Sequence, residues 1–138
     1  KAVATISNAM DVGNPSNFVR ILEIMQHNFA SLTDALSSYS YDDESTEQTI
    51  ARVYQQYDYT LDPHGAVAYL AAEAYTKGTD KKALILETAH PVKFPEVVER
   101  AIHKKIEIPA SVQFLLDKQK VAIPMQANFE AFKAWMLG

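Results

Sequence analysis

Cysteine is absent from this 138-residue chain, which excludes a disulfide framework, a thiolate metal site and a thiol nucleophile. Glycine is scarce as well, with four residues in all. There is accordingly no Walker loop, no dinucleotide fingerprint and no Gly-x-Ser-x-Gly elbow, each of which spends several glycines in one short turn. Long apolar runs are missing: none approaches the ~20 residues that span a bilayer as a helix. The first residues also lack the basic, apolar and small-residue regions of a signal peptide. Positive charge is in deficit, 13 Lys and Arg against 17 Asp and Glu. The adjacent basic pairs Lys81-Lys82 and Lys104-Lys105 are too little for a phosphate-binding surface. The histidines, His27, His64, His90 and His103, are scattered without metal-ligand spacing. The expectation is a soluble, cytoplasmic protein that engages no nucleic acid, membrane or metal.

What is present suits a globular domain. Hydrophobic residues make up 48% and charged residues 22%, enough apolar side chain at this length for one buried core. The chain starts at Lys1 and runs directly into the apolar "AVATIS", so the beginning of the protein is expected to lie upstream.

Periodicity divides the chain into strands and helices. Ala2 to Ile6 alternates small and β-branched residues and reads as a short strand, followed by the polar loop "SNAMDVGN". Asn14 is placed as an N-cap with Pro15 at the first helical position, and Phe18, Ile21, Leu22 and Met25 form one apolar face. In a second helix Ser45 and Gln48 have capping-box spacing and Ile50, Val53, Tyr54 and Tyr57 make the inward stripe. The acidic run Asp42-Asp43-Glu44 sits where a helix dipole favours negative charge, a structural role that fits better than a divalent-metal loop.

A third helix opens at "LDPHGAVAYL", with Asp62 as cap, Pro63 in the first turn, and Val67, Leu70, Ala71 and Ala74 facing inward until Lys77-Gly78. Ala83 to Leu86 reads as a buried strand. A helix from about Pro95 carries Val97, Val98, Ala101 and Ile102; a short one follows near Ser111 to Leu116, and a last one runs from Asn128 with Phe129, Phe132 and Met136. Two strands separated by helices, without a hairpin turn between them, predict an α/β fold whose few strands belong to a mainly parallel sheet flanked by helices.

Polar clusters follow both predicted strands: Ser7, Asn8 and Asp11 after the first, Thr88 and His90 after the second. Ligands of open α/β sheets gather at the carboxyl ends of strands, so the two clusters are candidates for one pocket. Thr88 there either binds a ligand or satisfies local backbone. His90, before Pro91, fits a turn histidine bonded to backbone better than a general acid or base. Lys93 is a surface charge or an anion partner.

Three segments, "ISNAMDVGNPSNFVRI" (Ile6 to Ile21), "DPHGAVAYLA" (Asp62 to Ala71) and "ETAHPVKFPEVVE" (Glu87 to Glu99), with weaker support from "YDDESTEQTI" (Tyr41 to Ile50), resemble the threonine synthase family. The likeness is to the C-terminal portion of the family's longer form and covers nearly all of residues 1–138. It implies a C-terminal fragment of a pyridoxal-phosphate enzyme of fold type II, the tryptophan-synthase-β-like fold, whose full chain converts O-phosphohomoserine and water into threonine and phosphate.

Residue by residue, the resemblance implies that Thr88 hydrogen-bonds the pyridine nitrogen of pyridoxal phosphate. The family's Schiff-base lysine and glycine-rich phosphate loop lie upstream, leaving no catalytic residue in this chain, so the fragment alone is expected to be inactive and to depend on the remainder of the enzyme. "AFKA" (Ala131 to Ala134) copies three letters of the lysine motif without its aspartate, and Lys133 reads as an exposed helix lysine. Asn14, Ser16 and Asn17, at a helix start, are candidates for the substrate phosphate or carboxylate, with capping as the alternative. The competing functions are another pyridoxal-phosphate lyase, such as a serine or threonine dehydratase, and a non-catalytic binding or regulatory module.

Overall fold

A computed structural model describes residues 2–8, 11–115 and 117–138. The chain divides into two compact units, Lys1–Glu107 and Ile108–Gly138.

The first unit is built around three helices: α3 (Asp43–Tyr57), α4 (Pro63–Thr76) and α5 (Pro95–Ile102). They are preceded by two short ones, α1 (Phe18–Ile24) and α2 (Phe29–Ala35). The core gathers Ile50 and Val53 from α3, Leu61 and Ala66 at the start of α4, and Phe94, Val98 and Ala101 at α5. Spacings of three and four residues along α3 and into α5 put these side chains on one face, and Leu61 and Ala66 at the entry of α4 close the contact. Thr46 and Thr49 share the buried face of α3, and their hydroxyls donate to the carbonyls of Asp42 and Ser45 at 2.7 and 2.8 Å. Each buried hydroxyl is thereby satisfied within its own helix.

Helix ends follow from local chemistry. Asp42 caps α3, its carboxylate accepting from the backbone N–H of Ser45, and Asp43 and Glu44 fill the first turn. The cap lies three residues before the predicted Ser45; Gln48 donates to Glu44 instead. Asp62 caps α4 and Pro63 opens it, as the sequence indicates. Asp58 and His103 stand just past α3 and α5 at φ 53, the left-handed conformation that ends a helix by turning its last carbonyls toward the following backbone. Helix α1 starts at Phe18, after a turn in which Phe18 N–H bonds the Pro15 carbonyl, so Asn17 rather than Asn14 is its N-terminal neighbour. Helix α2, absent from the sequence reading, is capped by Asn28, whose side chain accepts from Ser31 N–H.

The expected α/β class is overturned: among the described residues there is no strand and no sheet. Residues 2–5 and 81–88 carry no regular structure. Leu84 is 88% and Leu86 73% exposed, with only Ile85 between them turned partly inward. An apolar β-branched run reports a tendency to extend and alternate, but a strand exists only where a neighbour takes up its N–H and C=O groups. These two segments have no such partner among the described residues.

The second unit holds α6 (Ala110–Gln113) and α7 (Phe129–Leu137). Asn128 caps α7, accepting from the N–H groups of Glu130 and Ala131. Phe132 and Trp135 stack along that helix with ring centroids 6.3 Å apart. The short helix expected near Ser111 to Leu116 is realised as α6; Leu116 lies outside the described residues, as do Ala9 and Met10 of "SNAMDVGN". No described helix is long and apolar enough to cross a membrane.

Candidate functional site

The segment after Leu86 is held by its own turn chemistry. Pro91 to Lys93 form one 3-10 turn, and the Nδ1 atom of His90 accepts a hydrogen bond of 3.1 Å from Val92 N–H. The imidazole thus serves the backbone, as expected for a histidine before proline. Phe94 then enters the core and α5 begins at Pro95. Between the exposed run 84–86 and the anchored Phe94, Thr88 is set on the wall of an open pocket.

That pocket, ≈ 780 Å³ in volume, is bordered by Thr88, Ala89, His90 and Lys93 on one side and by Tyr54, Asp58 and residues 104–107 on others. Lys104 donates to the Tyr54 hydroxyl at 3.3 Å and Lys105 pairs with Glu99. Lys93 contributes a further exposed ammonium on the Thr88 side. The arrangement offers a hydroxyl and cationic groups around a concave surface large enough for a small aromatic phosphate or an amino acid.

Asn14, Ser16 and Asn17 do not border this pocket; they are exposed ahead of α1, and Asn17 makes no side-chain capping bond. Of the first polar cluster, Ser7 and Asp11 border a separate pocket of ≈ 640 Å³ that reaches His64. Within that cluster Asp11 accepts from the hydroxyl of Thr5 at 2.6 Å and from its N–H at 2.9 Å, which holds the Asp11 carboxyl below the usual carboxylate range. Lys133 lies exposed on α7.

One cluster escaped the sequence reading. The Asp62 carboxylate is fully buried; its Oδ1 accepts from the backbone N–H of His64 at 2.9 Å and from ring Nδ1 at 2.8 Å. The far side of the His64 ring meets Phe94 edge-on, with centroids 5.2 Å apart. Against the same carboxylate comes Glu87, next to Thr88. Desolvation first, then the hydrogen bond and negative charge of Asp62, push its carboxyl up to about 7. Asp62 had been legible only as a cap. Its burial against Glu87 left no signal in the sequence, since Tyr59, Thr60 and Leu61 before it form no apolar run.

Comparison with known proteins gives these features a family. Residues 65–136 match the family described as "Threonine synthase, C-terminal". Threonine synthase of Haemophilus influenzae is 36% identical over 135 residues, which cover 98% of this chain and 31% of that protein. The crystal structure of threonine synthase from Escherichia coli superposes with a TM-score of 0.82 at 32% identity, over 99% of this chain and 31% of that one. A threonine synthase from Brucella melitensis, solved with PLP bound, gives 0.62 at 25% identity over 87% of this chain and 31% of that one. The chain belongs to the threonine synthase family. It spans about a third of the length of the curated relatives it matches.

Proposed function

We propose that this chain is the C-terminal part of a pyridoxal-phosphate-dependent threonine synthase and works within a longer polypeptide that converts O-phosphohomoserine and water into threonine and phosphate. The observation that carries the reading is Thr88: it borders the ≈ 780 Å³ pocket inside the family's "ETAHP" segment, while the adjoining turn is held by His90. Its hydroxyl is free of that turn's bonding and suits the ring nitrogen of the cofactor, since a hydroxyl both donates and accepts.

When bound, the cofactor supplies the electron-withdrawing ring on which the substrate's bonds are rearranged. This chain's share is to orient that ring. A hydroxyl at the ring nitrogen, in place of a carboxylate, gives a hydrogen bond without a full counter-charge, which moderates the pull of the ring. The lysine that attaches the cofactor is assigned to a segment upstream. Asn14, Ser16 and Asn17, which stand outside that pocket, are proposed for the anionic groups of the substrate on the polar character of their side chains and the family segment that carries them.

The test is the complete enzyme purified with this chain intact, assayed for threonine and inorganic phosphate from O-phosphohomoserine. Equal amounts of the two products support the reading. Release of a 2-oxo acid and ammonia from serine or threonine, with no phosphate-dependent activity, overturns it in favour of a dehydratase.

A further inference from the structure

Two motif segments distant in sequence meet at one buried carboxylate. Oδ1 of Asp62 is saturated by the N–H and Nδ1–H of His64, whereas Oδ2 is buried and receives no N–H or other protein donor counted among the described residues. The carboxyl end of Glu87 is turned over the first turn of α4, so close to Gly65 that a Cβ there would collide with both its oxygens and its carbon. Two carboxylates in such proximity cannot both carry charge, and the arrangement that satisfies Oδ2 is a proton between them.

We propose that Glu87 is a positioning residue whose carboxylic acid donates a hydrogen bond to Oδ2 of Asp62, latching the segment that carries Thr88 onto the N-terminus of α4. The consequence for Thr88 follows from the chain: Glu87 is its immediate neighbour, and the run before it, 84–86, has little burial to hold it. With Phe94 fixed in the core on the far side, the latch supplies the second anchor of the loop. Glycine at position 65 is what leaves room for the carboxyl group against the helix.

The proton is retained near neutrality because the site disfavours charge, and Glu87 titrates at about 7. The ionisable groups around it are known. Asp62 faces it from the start of α4, with His64 bonded to the other oxygen of that carboxylate. Tyr57 of α3, Tyr59 of the following loop and Tyr69 of α4 border the small apolar cavity of ≈ 460 Å³ on one side. On the open side the larger pocket adds Asp58 at the end of α3, His90 and Lys93 beyond Thr88, and Lys104, Lys105 and Glu107 after α5. Asp62 is the charged group that raises it.

This inference deepens the proposed function, since the purpose of the latch rests on Thr88 meeting the cofactor, but its physical core is measurable separately. In the complete enzyme, protection of the amides in residues 83–90, taken relative to the intrinsic exchange rate at each pH, is expected to be high below pH 7 and to fall as pH rises through about 7. Glu87→Gln keeps a donor for Oδ2 and removes the titration. Protection should then persist through that range, and the infrared band of a neutral carboxylic acid should disappear. Glu87→Ala and Gly65→Ala, which delete or displace the donor, are expected to weaken pyridoxal phosphate binding roughly ten- to a hundredfold, with Glu87→Gln close to wild type.

A Glu87→Gln enzyme in which protection of residues 83–90, corrected for the intrinsic rate, still falls as pH rises through about 7 overturns the latch, as does a Glu87→Ala enzyme with unchanged protection there. If the latch signals appear as expected while Thr88→Val leaves turnover and cofactor binding intact, the latch stands and the cofactor role of Thr88 falls.

Discussion

Arg100 of α5 grips Glu47 of α3 in a two-point bond, Nε to Oε1 at 2.6 Å and Nη2 to Oε2 at 2.7 Å. Arg52, one helical turn and more along α3, makes the same bidentate grip on Glu73 of α4 with bonds of 2.8 and 2.5 Å. Helix α3 thus holds its two neighbours at the rim by opposite charges of its own, while Ile50 and Val53 hold them through the core. Fork-to-fork geometry fixes orientation as well as distance. The two clamps therefore reinforce at the rim an arrangement of α4 and α5 that the core packing sets.

Removing one clamp should be mild. Arg100 is 56% and Glu47 29% exposed, so solvent screens the pair, and Arg100→Ala is expected to lower local stability only slightly. Pairing with Arg100 holds the Glu47 carboxyl below its ordinary value. Its contribution is accordingly present above the unfolded carboxylate value and disappears as pH falls through the depressed folded one. Amide exchange in α5, followed against pH in wild type and Arg100→Ala, checks this: the two should converge in acid and separate near neutrality.

Core truncation should be far more costly. Ile50 is fully buried at the meeting of the three helices, and Ile50→Ala removes its contacts and leaves a cavity that the flanking helices fill only in part, a loss of about 2–5 kcal/mol. Exchange protection across α3, α4 and α5 should fall together. A loss confined to α3 would show that the three helices do not unfold as one unit.

Asp62→Asn separates capping from charge. The amide oxygen still accepts from His64, so α4 should keep its N-terminus, whereas the negative charge acting on Glu87 is gone and an N–H is available to it. The Glu87 carboxyl is raised in the native protein, so the stability it contributes is fully present below the unfolded value and lost as pH rises through about 7. In Asp62→Asn that loss should move to lower pH and shrink. Carboxyl titration followed by infrared spectroscopy reads the shift, and an unmoved Glu87 would show that desolvation alone sets it.

How much of this was legible in the sequence depends on how local the cause is. Asp62-Pro63 and Asn128 announced α4 and α7 because a cap is decided within four residues. The pattern Val97, Val98, Ala101, Ile102 likewise gave α5 its inward face. The strands failed because pairing is not a property of one segment: Ala83 to Leu86 has the composition of a strand and no ladder among the described residues. Helix α2 was missed because its single cap, Asn28, follows closely on α1 with only a short break. At the site, Thr88 was singled out by the polarity that follows Leu86, and its role toward the cofactor was implied by motif resemblance. The Glu87–Asp62 contact was not, since it joins residues 25 apart and is visible only once α4 has been folded beneath the Thr88 loop.

Thr88→Val in the complete enzyme is the decisive substitution for the proposed function. Valine keeps the branched shape at the pocket wall and removes only the hydroxyl, so a role in satisfying local backbone and a role toward the cofactor predict different losses. Loss of one hydrogen bond to a neutral or partly charged ring nitrogen should weaken cofactor binding or the reaction barrier by about 0.5–3 kcal/mol, with melting temperature nearly unchanged. The reverse result, a lowered melting temperature with wild-type turnover at saturating pyridoxal phosphate, assigns the hydroxyl to the turn instead. His90 already supplies that turn with its side-chain bond to Val92 N–H, which is why the first outcome is expected. Turnover, cofactor affinity and melting temperature measured on one purified variant decide between them.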